Sequence, residues 1–182
     1  MTKFANPAPL GLFGFAVTTF MLSFFNVKFY NPVEAFPLLM CTAFAFGGTA
    51  QFLAGLMEYP RGNTFGTVAF CSYGAFWWAF GLYISGAFGK VALGPLGAWL
   101  VLWGAFTFVL FLATLKTATR AIQLVFLTLW VAFVLLGLSH LLNMDILHTI
   151  GGWIGFACGA LAFYLASAQV LNEVYEKTVL PV

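Results

Sequence analysis

The chain has 182 residues, of which 63% are hydrophobic and only 7% are charged, and its formal net charge is +2. A soluble domain usually carries about a quarter charged residues, so this composition excludes an ordinary soluble protein. The small net charge, without a basic cluster, argues against nucleic-acid binding. The length fits six membrane spans of roughly 20 residues with short loops and leaves no room for a separate soluble domain.

Six apolar segments of membrane-spanning length follow one another along the chain. Turn formers and charges separate them, as at Asn31-Pro32, Gly89-Lys90 and residues 143–145. We predict spans at residues 8–26, 33–57, 64–87, 92–115, 121–142 and 147–171. Segments that are long and apolar on all faces favour α-helices over the shorter alternating strands of a membrane barrel. The predicted fold is an all-α membrane protein in which residues 1–182 form a single six-helix domain.

Lysine and arginine residues are divided unevenly between the two ends of the predicted spans. Lys28 and Lys90 fall on one side, and five others fall on the side of the termini: Lys3, Arg61, Lys116, Arg120 and Lys177. Cytoplasmic loops of membrane proteins carry the excess of positive charge. We therefore expect a multi-pass protein of the cytoplasmic (inner) membrane with both termini in the cytoplasm.

The first span opens with a proline-containing run, Asn6-Pro7-Ala8-Pro9-Leu10-Gly11-Leu12. Asn6 is suited to cap the helix, and a proline is suited to its first turn. The backbone amides of Ala8, Leu10 and Gly11 could then point at a ligand from the start of the helix. Free amides at helix N-termini bind small anions. A plain helix cap explains the same residues, so the sequence leaves both interpretations open.

Polar side chains within the spans are mostly hydroxyls and amides. Thr18 and Thr19 lie in the first span, where single threonines usually bond back to their own helix. Gln51 lies in the second span, and an unbonded amide there costs free energy. Gln51 therefore either bonds to a neighbouring helix or lines a wet path.

We place no charged residue at the mid-depth of a span, and we expect no catalytic residues, cofactor or metal site. Paired acids, a Ser/His/Asp set and cysteines at metal-ligand spacing are all missing from the sequence. A membrane enzyme would need clustered acids or histidines within one leaflet. The composition instead favours passage of a small polar solute.

Motifs from five of the six spans and from the tail occur in a recognisable order. They are residues 6–12 with Gly14-Phe15, 47–51 with 54–56 and 58–59, 62–66, 72–77, 103–104, 114–116, 152–155, and 171–173 with 179–181. Together they closely resemble the acetate uptake transporter family, or succinate–acetate permeases, over nearly the whole chain.

The resemblance implies a six-helix protomer that assembles into a hexamer, each protomer with its own pathway. It implies a permease or channel for acetate and related short carboxylates, including succinate in some members, with protons coupled to or accompanying them. It also implies a constriction formed by Phe15, Tyr73 and Leu129, with Leu127 as the neighbouring alternative to Leu129. Such an apolar ring blocks hydrated ions yet passes a methyl group, and we expect the Tyr73 hydroxyl to donate to a carboxylate.

The expected partners are acetate or a similar carboxylate, protons, the lipid bilayer and further copies of the chain. A urea- or amide-type small-solute channel is the alternative, since such channels also combine six-helix protomers with apolar constrictions. The candidate substrate-binding residues are Asn6, Ala8, Leu10, Gly11, Thr18, Thr19, Gln51 and Tyr73.

Overall fold

The computed structural model describes residues 5–117 and 119–182, and the regular secondary structure of these residues is helical. Six stretches are long and apolar enough to cross a membrane, as the sequence predicts. Lys3, one of the five basic residues assigned to the cytoplasmic side, lies outside the described residues. The elements are α1 (Ala8–Asn26), α2 (Pro32–Thr42), a π-helical segment (Ala43–Ala50), α3 (Gln51–Glu58), a 3₁₀ turn (Tyr59–Arg61), α4 (Thr64–Ser85), α5 (Leu93–Thr117), α6 (Arg120–Leu142) and α7 (Asp145–Val174).

The second span is one continuous helical run in which α2, the π-helical segment and α3 follow each other. In the π-helical segment the backbone bonds reach five residues along the chain instead of four. The Thr49 hydroxyl follows the same spacing, because it donates to the carbonyl of Phe44 at 2.8 Å. The segment contains Gly47 and Gly48, against which aromatic rings of α4 pack.

The helix ends differ slightly from the predicted ones, for local reasons. Helix α4 stops at Ser85 because Gly86 takes a left-handed conformation (φ +71°) and bonds to the carbonyl of Tyr83. At its start, the Asn63 side chain caps α4 by accepting from the amide of Gly66 at 3.0 Å. Helix α7 begins at Asp145 and ends at Val174, so it extends the predicted span at both ends.

The spans form a ring around a central path. Neighbours pack in the order α5, α6, α7, α1, the second span and α4. The ring closes between α4 and α5 through aromatic side chains, since Phe76 stacks on Trp99 at a centroid distance of 5.0 Å. Glycines allow some of the close approaches: a Cβ on Gly97 of α5 would lie 2.7 Å from the carbonyl oxygen of Gly137 in α6.

Candidate functional site

Three cavities follow one another through the centre of the ring. The terminal cavity, about 400 Å³, opens at the end of the bundle that carries both chain termini and has Ala8 and Gln169 in its wall. The distal cavity, about 520 Å³, opens at the opposite end near Lys90, His140 and His148. The middle chamber, about 40 Å³, lies between them. The three cavities outline a path from one end of the bundle to the other.

Phe15, Tyr73 and Leu129 line both the terminal cavity and the middle chamber, so they form the boundary between the two. All three are buried, and the ring centroids of Phe15 and Tyr73 are 6.1 Å apart. The structure therefore brings together the three residues of the predicted constriction. Leu127, the alternative to Leu129, lies outside the walls of these three cavities.

The positions of Phe15 and Tyr73 follow from local packing. Gly14 lets α1 approach the second span, because a Cβ there would lie 2.6 Å from the carbonyl oxygen of Phe46. Tyr73 is fixed by the rings of Phe106 and Phe126, with centroids 5.7 Å and 6.2 Å away. Buried aromatic pairs at these distances stabilise each other, so Tyr73 belongs to a packed aromatic cluster of the core.

The hydroxyl of Tyr73 points to α5 and bonds there. Its oxygen lies 2.9 Å from Thr107 Oγ1, and Thr107 in turn donates to the carbonyl of Trp103 at 2.7 Å. A threonine hydroxyl has a single proton, so Tyr73 is the donor in the first of these bonds. The phenolic proton is thus shared with Thr107 in this arrangement, and the ring of Tyr73 lines the path. Donation from Tyr73 to a carboxylate stays a prediction.

The proline-containing run at the start of α1 behaves mainly as a helix start. Asn6 Oδ1 accepts from the amide of Ala8 at 3.2 Å, and the amide of Gly11 donates to the carbonyl of Pro7 at 3.3 Å. These two amides are therefore occupied rather than free for an anion. Gly11 lies against the ring of Phe70, and the side chain of Leu10 is exposed. Ala8 is the residue of this run that reaches the wall of the terminal cavity.

The remaining predicted substrate ligands, Thr18, Thr19 and Gln51, lie in different parts of the structure. The Thr18 hydroxyl donates to the carbonyl of Gly14 at 2.8 Å, outside the walls of the three cavities. Thr19 lines the middle chamber. Gln51 is 1% exposed and lines the terminal cavity, and its Oε1 has no hydrogen-bond partner among the described residues. The side chain of Gln51 thus lies in the wall of the terminal cavity, and its role as a substrate ligand stays a prediction.

Glu58 is a functional candidate that the sequence did not reveal. It lies at a span end, as predicted, but its side chain is 2% exposed and lines the terminal cavity. Arg61 Nε lies 3.4 Å from Glu58 Oε2, and Asn63 Nδ2 donates to the same oxygen at 3.1 Å. The sequence does contain one signal for this arrangement. Glu58 and Arg61 are three residues apart, a spacing at which an acid at a helix end can pair with a basic residue in the following turn.

The comparisons with known proteins agree on one family. Residues 1–182 match the GPR1/FUN34/yaaH family. The chain is 45% identical over 188 residues to the succinate-acetate/proton symporter SatP of Escherichia coli strain K12, covering 100% of this chain and 96% of that protein. It is 36% identical to acetate permease A of Emericella nidulans, covering 99% of this chain and 66% of that relative.

A solved structure, that of the bacterial acetate channel SatP, superposes with a TM-score of 0.93. It is 42% identical in sequence, and the match covers 99% of both chains. These relatives are named as transporters or channels. The chain belongs to the GPR1/FUN34/yaaH family.

Proposed function

We propose that this chain is a transmembrane permease or channel for acetate and related short carboxylates, accompanied by protons. The observation that carries the proposal is the closed apolar boundary of Phe15, Tyr73 and Leu129 between cavities that lead toward opposite ends of the bundle. The names of the relatives support the choice of solute, since they include a succinate-acetate/proton symporter and an acetate channel.

The walls suit a small carboxylate with one apolar end. The methyl group of acetate can pass the apolar ring, whereas a hydrated ion is blocked because the ring cannot replace its water. Gln51, in the terminal cavity, offers a neutral amide on the approach to the ring. Neutral hydrogen-bonding groups bind a single carboxylate without the desolvation cost of a buried cation.

The same proposal includes a single six-helix domain, a hexamer in the cytoplasmic membrane and both termini in the cytoplasm. Four of the five basic residues assigned to that side lie at the end of the bundle that holds the termini: Arg61, Lys116, Arg120 and Lys177. The outer face of α5 exposes apolar side chains, since Leu102 is 68% exposed and Val109 is 64% exposed. This exposure supports contact of α5 with lipid or with another subunit.

Uptake of labelled acetate by proteoliposomes, with and without a pH gradient, tests the proposed function. We expect acetate uptake well above that of empty liposomes, and faster uptake when the outside is more acidic. Labelled urea serves as the comparison solute. Uptake of urea without uptake of acetate would overturn the proposal in favour of the urea or amide channel.

Replacing Glu58 with glutamine is expected to lower acetate uptake about threefold or more, because Arg61 then loses the buried carboxylate that pairs with it at the wall of the terminal cavity. The side chain of Glu58 is buried and lines that cavity, and Arg61 Nε lies 3.4 Å from its Oε2. The measurement is the initial rate of labelled acetate uptake by proteoliposomes that contain equal amounts of protein.

Glu173→Gln is the matched control, because Glu173 is an exposed carboxylate at the same end of the bundle. We expect the control to take up acetate at the rate of the unchanged protein. Equal uptake rates in Glu58→Gln and Glu173→Gln would show that the pair of Glu58 and Arg61 does not shape the entrance to the path.

A further inference from the structure

The distal cavity has both histidines of the chain in its wall. They are His140, near the end of α6, and His148, near the start of α7. Helix α6 ends where Asn143 takes a left-handed conformation (φ +53°), and the chain turns back into α7 two residues later. This turn brings the two imidazole rings together, with centroids 5.4 Å apart and ring planes at 72°. The fold thus pairs two residues for which the sequence shows no metal-ligand spacing.

Hydrogen bonds around His148 determine which of its ring nitrogens carries the proton. The Ser139 hydroxyl donates to the carbonyl of Leu136 at 2.7 Å, and the same oxygen lies 3.4 Å from Nδ1 of His148. A serine hydroxyl has a single proton, so Nδ1 of His148 is the donor in the second contact. The lone pair of the neutral ring therefore lies on Nε2. An oxygen that accepts from one ring nitrogen while the other carries the lone pair is the usual second shell of a metal-binding histidine.

The separation of the two rings fits one shared metal ion. A zinc ion binds an imidazole nitrogen at about 2.0–2.1 Å, which places it roughly 3.2 Å from the ring centroid. Two imidazoles at the tetrahedral angle then have centroids about 5.2 Å apart. The observed distance is 5.4 Å, so the two rings need little movement to bind one ion. A plain edge-to-face contact gives a similar distance, and the experiments below separate the two cases.

The charged groups near the two histidines are exposed. Asp145 lies three residues before His148 and pairs with Lys28 at 3.3 Å, and these side chains are 92% and 66% exposed. Lys90 is also exposed and lines the same cavity. Solvent and salt screen such charges, so the two lysines do not prevent a cation from binding. Within the described residues no group of three or more His, Cys, Asp or Glu could hold a metal, so water would complete the coordination.

We propose that His140 and His148 form a divalent-cation site at the distal mouth of the path, with Zn²⁺ as its ion. Imidazole nitrogens suit zinc, whereas Mg²⁺ and Ca²⁺ prefer oxygen ligands. The ion with its water shell occupies part of the distal cavity and joins α6 to α7, so zinc inhibits passage through the protein. Binding of the ion is independent of the proposed function, and only its effect on uptake rests on that function.

Isothermal titration of zinc chloride into the detergent-solubilised protein tests the site directly. We expect about one ion per chain, and a dissociation constant that rises at least about tenfold in both His140→Gln and His148→Gln. Magnesium chloride is expected to give no binding. Cys41→Ser is the control variant, because it removes an exposed thiol that could also bind zinc, and we expect its dissociation constant to equal that of the unchanged protein. Equal constants in all four proteins would overturn the site.

A measurement on the unchanged protein does not depend on how the variants fold. The chain has two histidines, so protein labelled with ¹⁵N-histidine gives imidazole signals from these two rings alone. We expect zinc chloride to shift the signals of both rings together and a chelator to restore them. Imidazole signals that do not respond to zinc would mean that the rings make a plain edge-to-face contact, and would overturn the site.

Uptake of labelled acetate, with zinc chloride on both sides of the proteoliposome membrane, tests the inhibition. Each protein is compared with its own uptake in the absence of zinc. We expect the zinc concentration for half-inhibition to rise at least about tenfold in His140→Gln and in His148→Gln. Equal inhibition of these variants and the unchanged protein would overturn the inhibitory role. If the unchanged protein carries no acetate, the proposed function fails, while the titration and the imidazole signals still decide the metal site.

Discussion

Replacing Phe15 with alanine is expected to lower discrimination between acetate and a bulkier carboxylate, such as lactate, by roughly tenfold or more. The ring of Phe15 is 5% exposed and lies on the boundary between the terminal cavity and the middle chamber. Without it the apolar ring widens, so water and larger polar solutes enter. The ratio of labelled acetate uptake to labelled lactate uptake in proteoliposomes measures the effect.

Phe13→Ala provides the control for this change. Phe13 lies two residues earlier in α1, but its ring packs edge-on against Phe163 of α7 at a centroid distance of 5.0 Å, outside the walls of the cavities. The Phe13→Ala variant loses the same ring atoms as Phe15→Ala, and we expect its acetate-to-lactate uptake ratio to equal that of the unchanged protein. If Phe15→Ala has the same uptake ratio as Phe13→Ala, Phe15 does not form the barrier.

Replacing Gly74 with alanine is expected to destabilise the protein by about 3 kcal/mol, the upper part of the usual range for overpacking. A Cβ at Gly74 would lie 2.8 Å from the backbone nitrogen of Phe52 and 2.9 Å from the carbonyl oxygen of Gly48. Backbone atoms of the second span cannot move aside as a flexible side chain can, so α4 must shift and carry Tyr73 with it. Thermal unfolding in detergent is expected to show a midpoint lower by roughly 6–12 °C.

Gly94→Ala is the corresponding control, because among the described residues no atom from outside its own stretch of helix lies within 4 Å of the Cβ added there. Gly94 belongs to the first turn of α5, and alanine is a better helix former than glycine, so an unchanged or slightly higher midpoint is expected. Equal midpoints for Gly74→Ala and Gly94→Ala would show that α4 and the second span tolerate extra volume at their contact.

The sequence could predict the helices because the signals for them are local. Apolar length places six spans, and Asn6 and Pro7 mark the start of α1. The resemblance to a known family indicated three constriction residues, Phe15, Tyr73 and Leu129. In the structure they lie together at the boundary between the terminal cavity and the middle chamber. Composition alone would not have separated these three from the other apolar residues, since most of them occupy core or lipid-facing positions.

What the sequence could not predict depends on contacts between helices. The Tyr73 hydroxyl is occupied because Thr107 lies opposite it on α5. Glu58 is buried because the chain folds back through Arg61 and Asn63 to bond it. Among the described residues the indole nitrogen of Trp77 has no hydrogen-bond partner, whereas that of Trp78 donates to Thr49, although the two tryptophans are adjacent in sequence. Each of these facts concerns the direction of a side chain, which helical periodicity indicates only within one helix.

The π-helical segment Ala43–Ala50 has a consequence for how the second span should be mapped. Because each of its turns takes up more residues than an α-helical turn, α3 is rotated about the helix axis relative to a straight continuation of α2. A single helical wheel drawn through the whole span would therefore place Gln51 and Glu58 on the wrong side. In a cysteine scan of residues 36–58, the periodic pattern of reagent accessibility should change phase across residues 43–50, and the labelled stripe on α3 should not align with the stripe on α2.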